Sequence, residues 1–258
     1  MLVRKEDMWF KLIVGTISAT ACFAGSQAQV DAALFDRGGG LIYDDVLNIT
    51  WLQDANYAQT SGFDADGRMT WEQANDWANG LTYYDSVRDV TYDDWRLPTV
   101  SPIDGLSFDI LRSSDATTDR GYAPTTTDGS DGGWRDGVGV SVSEMGHMYY
   151  VNLANLGGCD PSLPYCTPQA GAGLVNSGPF SNIQDLYWTN MQQDLSLAWY
   201  FQFRDGFKSL TVKSGGSYGL YGWAVREGDV SIVPIPAAVW LFGSGLIGLI
   251  GIARRTKS

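Results

Sequence analysis

The sequence predicts an α+β domain, two helices beside antiparallel sheet, followed by a C-terminal membrane helix. Three observations carry this prediction. Residues 70–81 place a capping residue, Thr70, before apolar side chains at helical spacing. Residues 198–213 alternate apolar and polar side chains on either side of Asp205-Gly206, the pattern of a β-hairpin. Residues 232–253 carry no charge and run into Arg254, Arg255 and Lys257, the pattern of a membrane span with a basic stop.

The chain opens with Arg4, Lys5 and Lys11 around the start of an apolar, small-residue stretch, 12–25, that leads to Ser26-Gln27-Ala28. This order is that of a secretory signal peptide spanning 1–28. It leaves 29–231 as one extracytoplasmic domain, 232–253 as the transmembrane segment and 254–258 as a basic cytoplasmic tail. The positive residues beyond the span place the domain outside the inner membrane.

Within the domain, residues 34–56 read as two short strands around the Asp44-Asp45 turn. The first helix follows, with Thr70 and Gln73 in capping-box positions. Trp71, Ala74, Trp77, Ala78 and Leu81 share its inner face, and Gly80 is expected to end it in a left-handed turn. Pro98 biases Leu97 toward an extended backbone. Ser101-Pro102 predicts the start of a second helix with Leu106, Ile110 and Leu111 on its apolar side. Residues 113–135 read as an exposed loop, and 138–152 as a strand or hairpin. Residues 186–189, 198–203 and 207–213 are strands, with Trp199, Phe201 and Phe203 on one face. A last strand covers 218–226, where the glycines predict a bend or close packing of aromatic rings.

Charge and cysteine content narrow the chemistry. The chain has 29 acidic and 17 basic side chains and a formal net charge of −12. Such a surface repels nucleic acid, which is excluded as a partner. Of three cysteines, Cys159 and Cys166 remain after signal cleavage, and without a nearby histidine they read as a disulfide.

Catalytic patterns are sparse. The sole histidine, His147, rules out the usual multi-histidine metal sites. No phosphate loop, dinucleotide fingerprint or nucleophile elbow is present. Asp44, Asp45, Asp93 and Asp94 leave open a glycan hydrolase with paired carboxylates, although nothing selects an opposed pair. Asp64 and Asp66, in Asp-Ala-Asp-Gly, resemble part of a calcium loop but lack its later ligands, so a Ca²⁺ site would need completion from elsewhere.

Two resemblances add to this. Val233-Pro234-Ile235-Pro236-Ala237, with the apolar run and the basic end, resembles the PEP-CTERM sorting signal in its Val-Pro-Leu-Pro-Ala variant. This implies export, membrane lipid contact and processing at 233–237 by an exosortase-like enzyme. The pieces Gly40-Leu41-Ile42-Tyr43-Asp44, Thr50-Trp51-Leu52-Gln53-Asp54-Ala55-Asn56, Met69-Thr70-Trp71 through Trp77, Asp94-Trp95-Arg96-Leu97-Pro98-Thr99, Tyr187-Trp188-Thr189 and Tyr221-Gly222-Trp223-Ala224-Val225-Arg226 resemble a second family. It is the family of the C-terminal domain of the Legionella collagen-like adhesin.

That resemblance implies a C-type-lectin-like fold and a non-enzymatic surface or matrix protein that binds extracellular polysaccharide. The motif residues Trp71, Trp77, Trp95, Pro98, Trp188 and Trp223 are then structural. Arg96 and Arg226 are expected to clasp buried carboxylates and tie segments together. Trp134 and Tyr149 are candidates for stacking on sugars.

Overall fold

The structure, a computed structural model, describes residues 34–114, 117–122, 143–160, 166–216 and 219–230. The chain divides into two units, Met1–Asp31 and Ala32–Ser258, and every described residue belongs to the second. In chain order its elements are β1 (Leu34–Asp36), β2 (Leu41–Asp44), β3 (Ile49–Leu52), α1 (Tyr57–Thr60), β4 (Arg68–Met69), α2 (Trp71–Asn79), β5 (Tyr83–Asp85), β6 (Val90–Tyr92) and β7 (Trp95–Arg96). They continue with β8 (Arg112–Ser113), β9 (Arg120–Tyr122), α3 (Glu144–His147), a π-helical turn (Met148–Asn152), β10 (Leu186–Gln192), β11 (Leu197–Gln202), β12 (Phe207–Val212), β13 (Leu220–Tyr221) and β14 (Val225–Glu227).

One sheet has the order β1-β2-β3-β14-β7 and a second the order β4-β13-β10-β11-β12-β9-β8, with β5 and β6 as a separate hairpin. Most neighbours are antiparallel, but β10 with β13 and β8 with β9 are parallel. The expected antiparallel sheet is therefore mixed.

The first helix forms for the reasons visible in its sequence. Thr70 accepts a hydrogen bond from the Gln73 amide, and the Gln73 side chain accepts one from the Thr70 amide, closing the capping box. Ala74, Trp77 and Ala78 are buried, and α2 packs on β4, β7 and β10. Gly80 does not adopt the expected left-handed conformation (φ −95°, ψ 0°). A Cβ there would lie 3.1 Å from the Asp76 carbonyl oxygen, so glycine relieves crowding at the helix end.

The hairpin at Asp205-Gly206 holds, with Gly206 at φ +78° and β11 paired to β12 from Leu197↔Val212 to Gln202↔Phe207. Trp199, Phe201 and Phe203 are each at most 1 % exposed. The last predicted strand splits. Leu220–Tyr221 joins the seven-stranded sheet and Val225–Glu227 the five-stranded one. Gly222 lies between them, where a Cβ would meet the Trp77 ring at 2.9 Å. Ring contact and bend coincide at this glycine.

Between the sheets Trp223 meets Trp51, Phe180, Tyr187 and Phe203 with ring centroids 4.9–5.5 Å apart. Its indole donates to the Leu52 carbonyl at 2.8 Å, so the polar end of a fully buried ring is satisfied.

Three sequence expectations are corrected. The second helix, from Ser101, does not form. Asp104 accepts from the Leu106 and Ser107 amides and Asp119 from those of Ile103 and Asp109, capturing donors a helix would use. Leu106 and Leu111 are left 87 % and 70 % exposed.

The strand expected near His147 is instead α3 and the π-helical turn, capped by Ser143. Glu144 to Tyr150 are all buried, and a helix covered on every side shows no amphipathic period to read.

The membrane part of the fold class is corrected as well. No helix among the described residues is long and apolar enough to cross a membrane. The longest, α2, has nine residues, about 14 Å at 1.5 Å per residue, against roughly 30 Å of hydrocarbon. Among the described residues there is thus no element for the expected inner-membrane anchoring. The signal peptide 1–28, the sorting residues Val233, Pro234, Ile235, Pro236 and Ala237, the span 232–253 and the tail 254–258 lie outside the described residues.

Candidate functional site

Pairing of short strands assembles a cleft of about 490 Å³. β13 sets Tyr221 opposite Arg68 of β4, and on its other side Tyr221 opposite Tyr187 of β10. Tyr187 itself is fully buried, and its hydroxyl accepts the Gln184 amide at 2.6 Å, which shapes the 183–186 rim. The Phe203 amide donates to the Asp185 carbonyl at 2.8 Å and so brings the next residue, Arg204, to that rim. Ile183 and Leu186 supply the apolar lining.

Arg68 is held in place by Tyr221 and Asp66. Its Nε donates to the Tyr221 hydroxyl at 2.9 Å, and its guanidinium carbon lies 5.7 Å from the centroid of the Tyr221 ring. That hydrogen bond raises the arginine above its ordinary pKa, keeping the charge fixed. Asp66 stands 4.0 Å from the same Nε. Gly219, at φ +58°, passes so close that a Cβ would lie 2.9 Å from the Arg68 Cβ. Glycine at this position is what admits Arg68 to the cleft wall.

Arg204 is exposed, in the turn between β11 and β12. Among the described residues it forms no hydrogen bond or ion pair. The lining thus includes two arginines, Tyr221, the apolar residues Ile183 and Leu186, and one acidic residue, Asp185. A fixed phenol and free guanidinium donors above apolar side chains are suited to holding a polar ring with an anionic substituent.

The motif residues lie elsewhere and build the framework. Trp77, Trp95, Trp188 and Trp223 are at most 3 % exposed, and Pro98 is buried. The Trp188 indole donates to the Met69 carbonyl at 2.9 Å and that of Trp95 to the Tyr92 carbonyl at 3.1 Å. Trp71 is half-buried. It donates to the Thr189 carbonyl at 2.8 Å and carries the Lys213 ammonium 4.6 Å from its ring centroid. Tyr149 is fully buried and is removed as a sugar platform, while Trp134 lies outside the described residues.

Arg96 donates through both Nη atoms to Glu144 at 2.8 Å and also pairs with exposed Glu227. This joins β7, α3 and β14. Arg226 forks onto Asp94 at 2.7 and 2.9 Å and lies over the Tyr92 ring at 4.3 Å. Its partner is half exposed, not buried as expected, and the arginine holds the Asp94 carboxyl below the usual range.

Two further arginine pairs occur among the described residues. Arg37 forks onto Asp229, and Arg88 meets fully buried Asp85 at 2.6 Å.

Asp64 Oδ1 accepts the amides of Asp66 and Gly67, and Asp66 Oδ1 accepts that of Arg68, so both serve the turn into β4. No group of three or more metal-ligating side chains occurs among the described residues. The four candidate hydrolytic carboxylates are not in the cleft lining either. Asp44 is fully buried and accepts the Val46 and Leu47 amides, and Asp94 belongs to the Arg226 pair. Cys159 and Cys166 form the expected disulfide.

Sequence reasoning missed the cleft because Arg68, Arg204 and Tyr221 come from three separate segments, and no spacing rule joins them. The only local signals were an arginine between Asp66-Gly67 and the Thr70 cap, and another just before the Asp205-Gly206 turn. No family model, characterised protein or solved structure matches the chain.

Proposed function

We propose that this chain is a non-enzymatic polysaccharide-binding protein and that the cleft between β4, β13 and the start of β10 is its binding site. The single observation that carries this reading is a cleft lined by Arg68, Arg204 and Tyr221 together with the apolar residues Ile183 and Leu186. Sugar rings present polar edges and apolar C–H faces, and this lining answers both. Hydrolysis by opposed carboxylates needs two acids across one bond, and the lining contributes one, Asp185. The site uses no metal in this reading.

The test is retention of the full-length chain on a panel of immobilised polysaccharides, with calcium and with chelator. Binding to at least one polymer, unchanged by chelator and reduced by Tyr221→Ala in a protein of unaltered unfolding midpoint, is the expected result. A chain that is retained by no polymer, or whose binding is indifferent to Tyr221, defeats the reading.

A further inference from the structure

We propose that the cleft selects sugar residues bearing a carboxylate, that is, uronates, and grips the carboxylate between Arg68 and Arg204. This rests on the reading of the cleft as a polysaccharide site and specifies what the site recognises. Arg37, Arg88, Arg96 and Arg226 are each paired with a carboxylate of the chain itself, while Arg120 donates to the Ser209 hydroxyl and Arg112 lies over the Phe207 ring. Among the described residues the Arg204 guanidinium forms no hydrogen bond or ion pair, and Arg68 engages only Nε, with the Tyr221 phenol at 2.9 Å and Asp66 at 4.0 Å. In a chain of net charge −12, a cleft lined by two arginines stands apart.

The guanidinium fork matches the two oxygens of a planar carboxylate. The balance of charge also points to one anionic group per sugar. Two positive side chains and one negative, Asp185, line the cleft, and Asp66 stands 4.0 Å from Arg68 just outside the lining, so the site accommodates no more than one added negative charge. A heavily sulfated polymer would bring several charges per residue toward a strongly acidic protein. Asp185 is in turn placed to accept hydrogen bonds from sugar hydroxyls. The Tyr221 hydroxyl already accepts from Arg68, so the ring keeps its edge position when the ligand arrives.

Titration calorimetry of the full-length chain tests this with galacturonate, glucuronate and mannuronate oligosaccharides and with the same oligosaccharides after reduction of their carboxyls to alcohols. At least one uronate series is expected to bind at least about tenfold more tightly than its reduced form, the scale of a charge-assisted hydrogen bond lost. Arg204→Gln is expected to remove about tenfold from uronate affinity and markedly less from that of the reduced form, so that the preference for the uronate shrinks. This residue lies on an exposed turn, and among the described residues its guanidinium forms no hydrogen bond or ion pair and interacts only electrostatically with neighbouring Asp205, so the variant keeps its fold. Equal affinity for the acidic and reduced forms overturns carboxylate selection and leaves polysaccharide binding standing. Tighter binding of dextran sulfate than of any uronate overturns the selection as well. Binding of none of these while a neutral polymer is retained overturns the selection only; retention of no polymer at all defeats both proposals.

Discussion

Replacing Arg96 with alanine should destabilise the domain more than any surface-charge change, and the structure sets the magnitude. Glu144 keeps only 10 % of its side-chain surface, and three donors reach it: both Nη atoms of Arg96 at 2.8 Å and the Thr99 amide at 2.7 Å. Without Arg96 a nearly buried carboxylate retains a single amide. Breaking a buried pair from one side costs about 3–5 kcal/mol. Arg96 is itself 21 % exposed, so water reaches the vacated space and the lower end, about 3 kcal/mol, is the expectation. The second partner, Glu227, is 70 % exposed and adds little. For a domain of this size the loss lowers Tm by roughly 6–12 °C. Urea denaturation of wild type and R96A, followed by tryptophan fluorescence, measures it. The double variant R96M/E144M removes both charges and should be more stable than R96A. A loss under about 1 kcal/mol in R96A, or a double variant no better than the single one, would refute a buried, desolvated pair.

Other substitutions test separate parts of the account. Gly222→Ala puts a methyl 2.9 Å from the Trp77 ring and 3.1 Å from Met69 Cε, and a cost of about 1–3 kcal/mol is expected from overpacking, read by the same denaturation assay. Removing the disulfide with C159S/C166S opens a short loop, with a sequence separation of 7, and should cost about 2 kcal/mol on the chain-entropy estimate. Thiol titration of the unfolded parent before and after reduction checks that the bridge was present. Burial pushes the Lys208 amine down to about 8 from 10.5. Between those values the unfolded chain binds more protons than the folded one, so this residue makes stability rise with pH across that window and adds no slope below it. Lys208→Met should therefore stabilise the protein more at pH 7 than at pH 10, by on the order of 3 kcal/mol. An equal effect at both pH values would show that the ammonium is not desolvated.

Legibility followed locality. The α2 cap, the Asp205-Gly206 hairpin and the role of Gly222 between bend and ring contact were readable because short-range chemistry decides them. Residues 101–111 misled because their helix signals were real but weaker than capture of the amides by Asp104 and by Asp119, the latter distant in sequence. The segment from Glu144 to Asn152 misled for a different reason. Buried on nearly all sides, it carries apolar residues at both helical and strand spacing, and tertiary packing selects between them. Arg96 could be singled out from its Trp-Arg-Leu-Pro setting, but Glu144 could not, since its partnership depends on how α3 docks beside β7. The cleft was the least legible feature. It exists only after β13 lies between β4 and β10, and a two-residue strand gives almost no pattern of its own.

The proposed function stands or falls on where a ligand touches the molecule. Backbone amide shifts of the isotopically labelled full-length chain, followed while the tightest-binding oligosaccharide is added, locate that contact directly. The account predicts saturable shifts concentrated at Arg68, Leu186, Arg204 and Tyr221, with the Trp51–Trp223 core unmoved. Shifts gathered on another face, or none at saturating sugar, would contradict it.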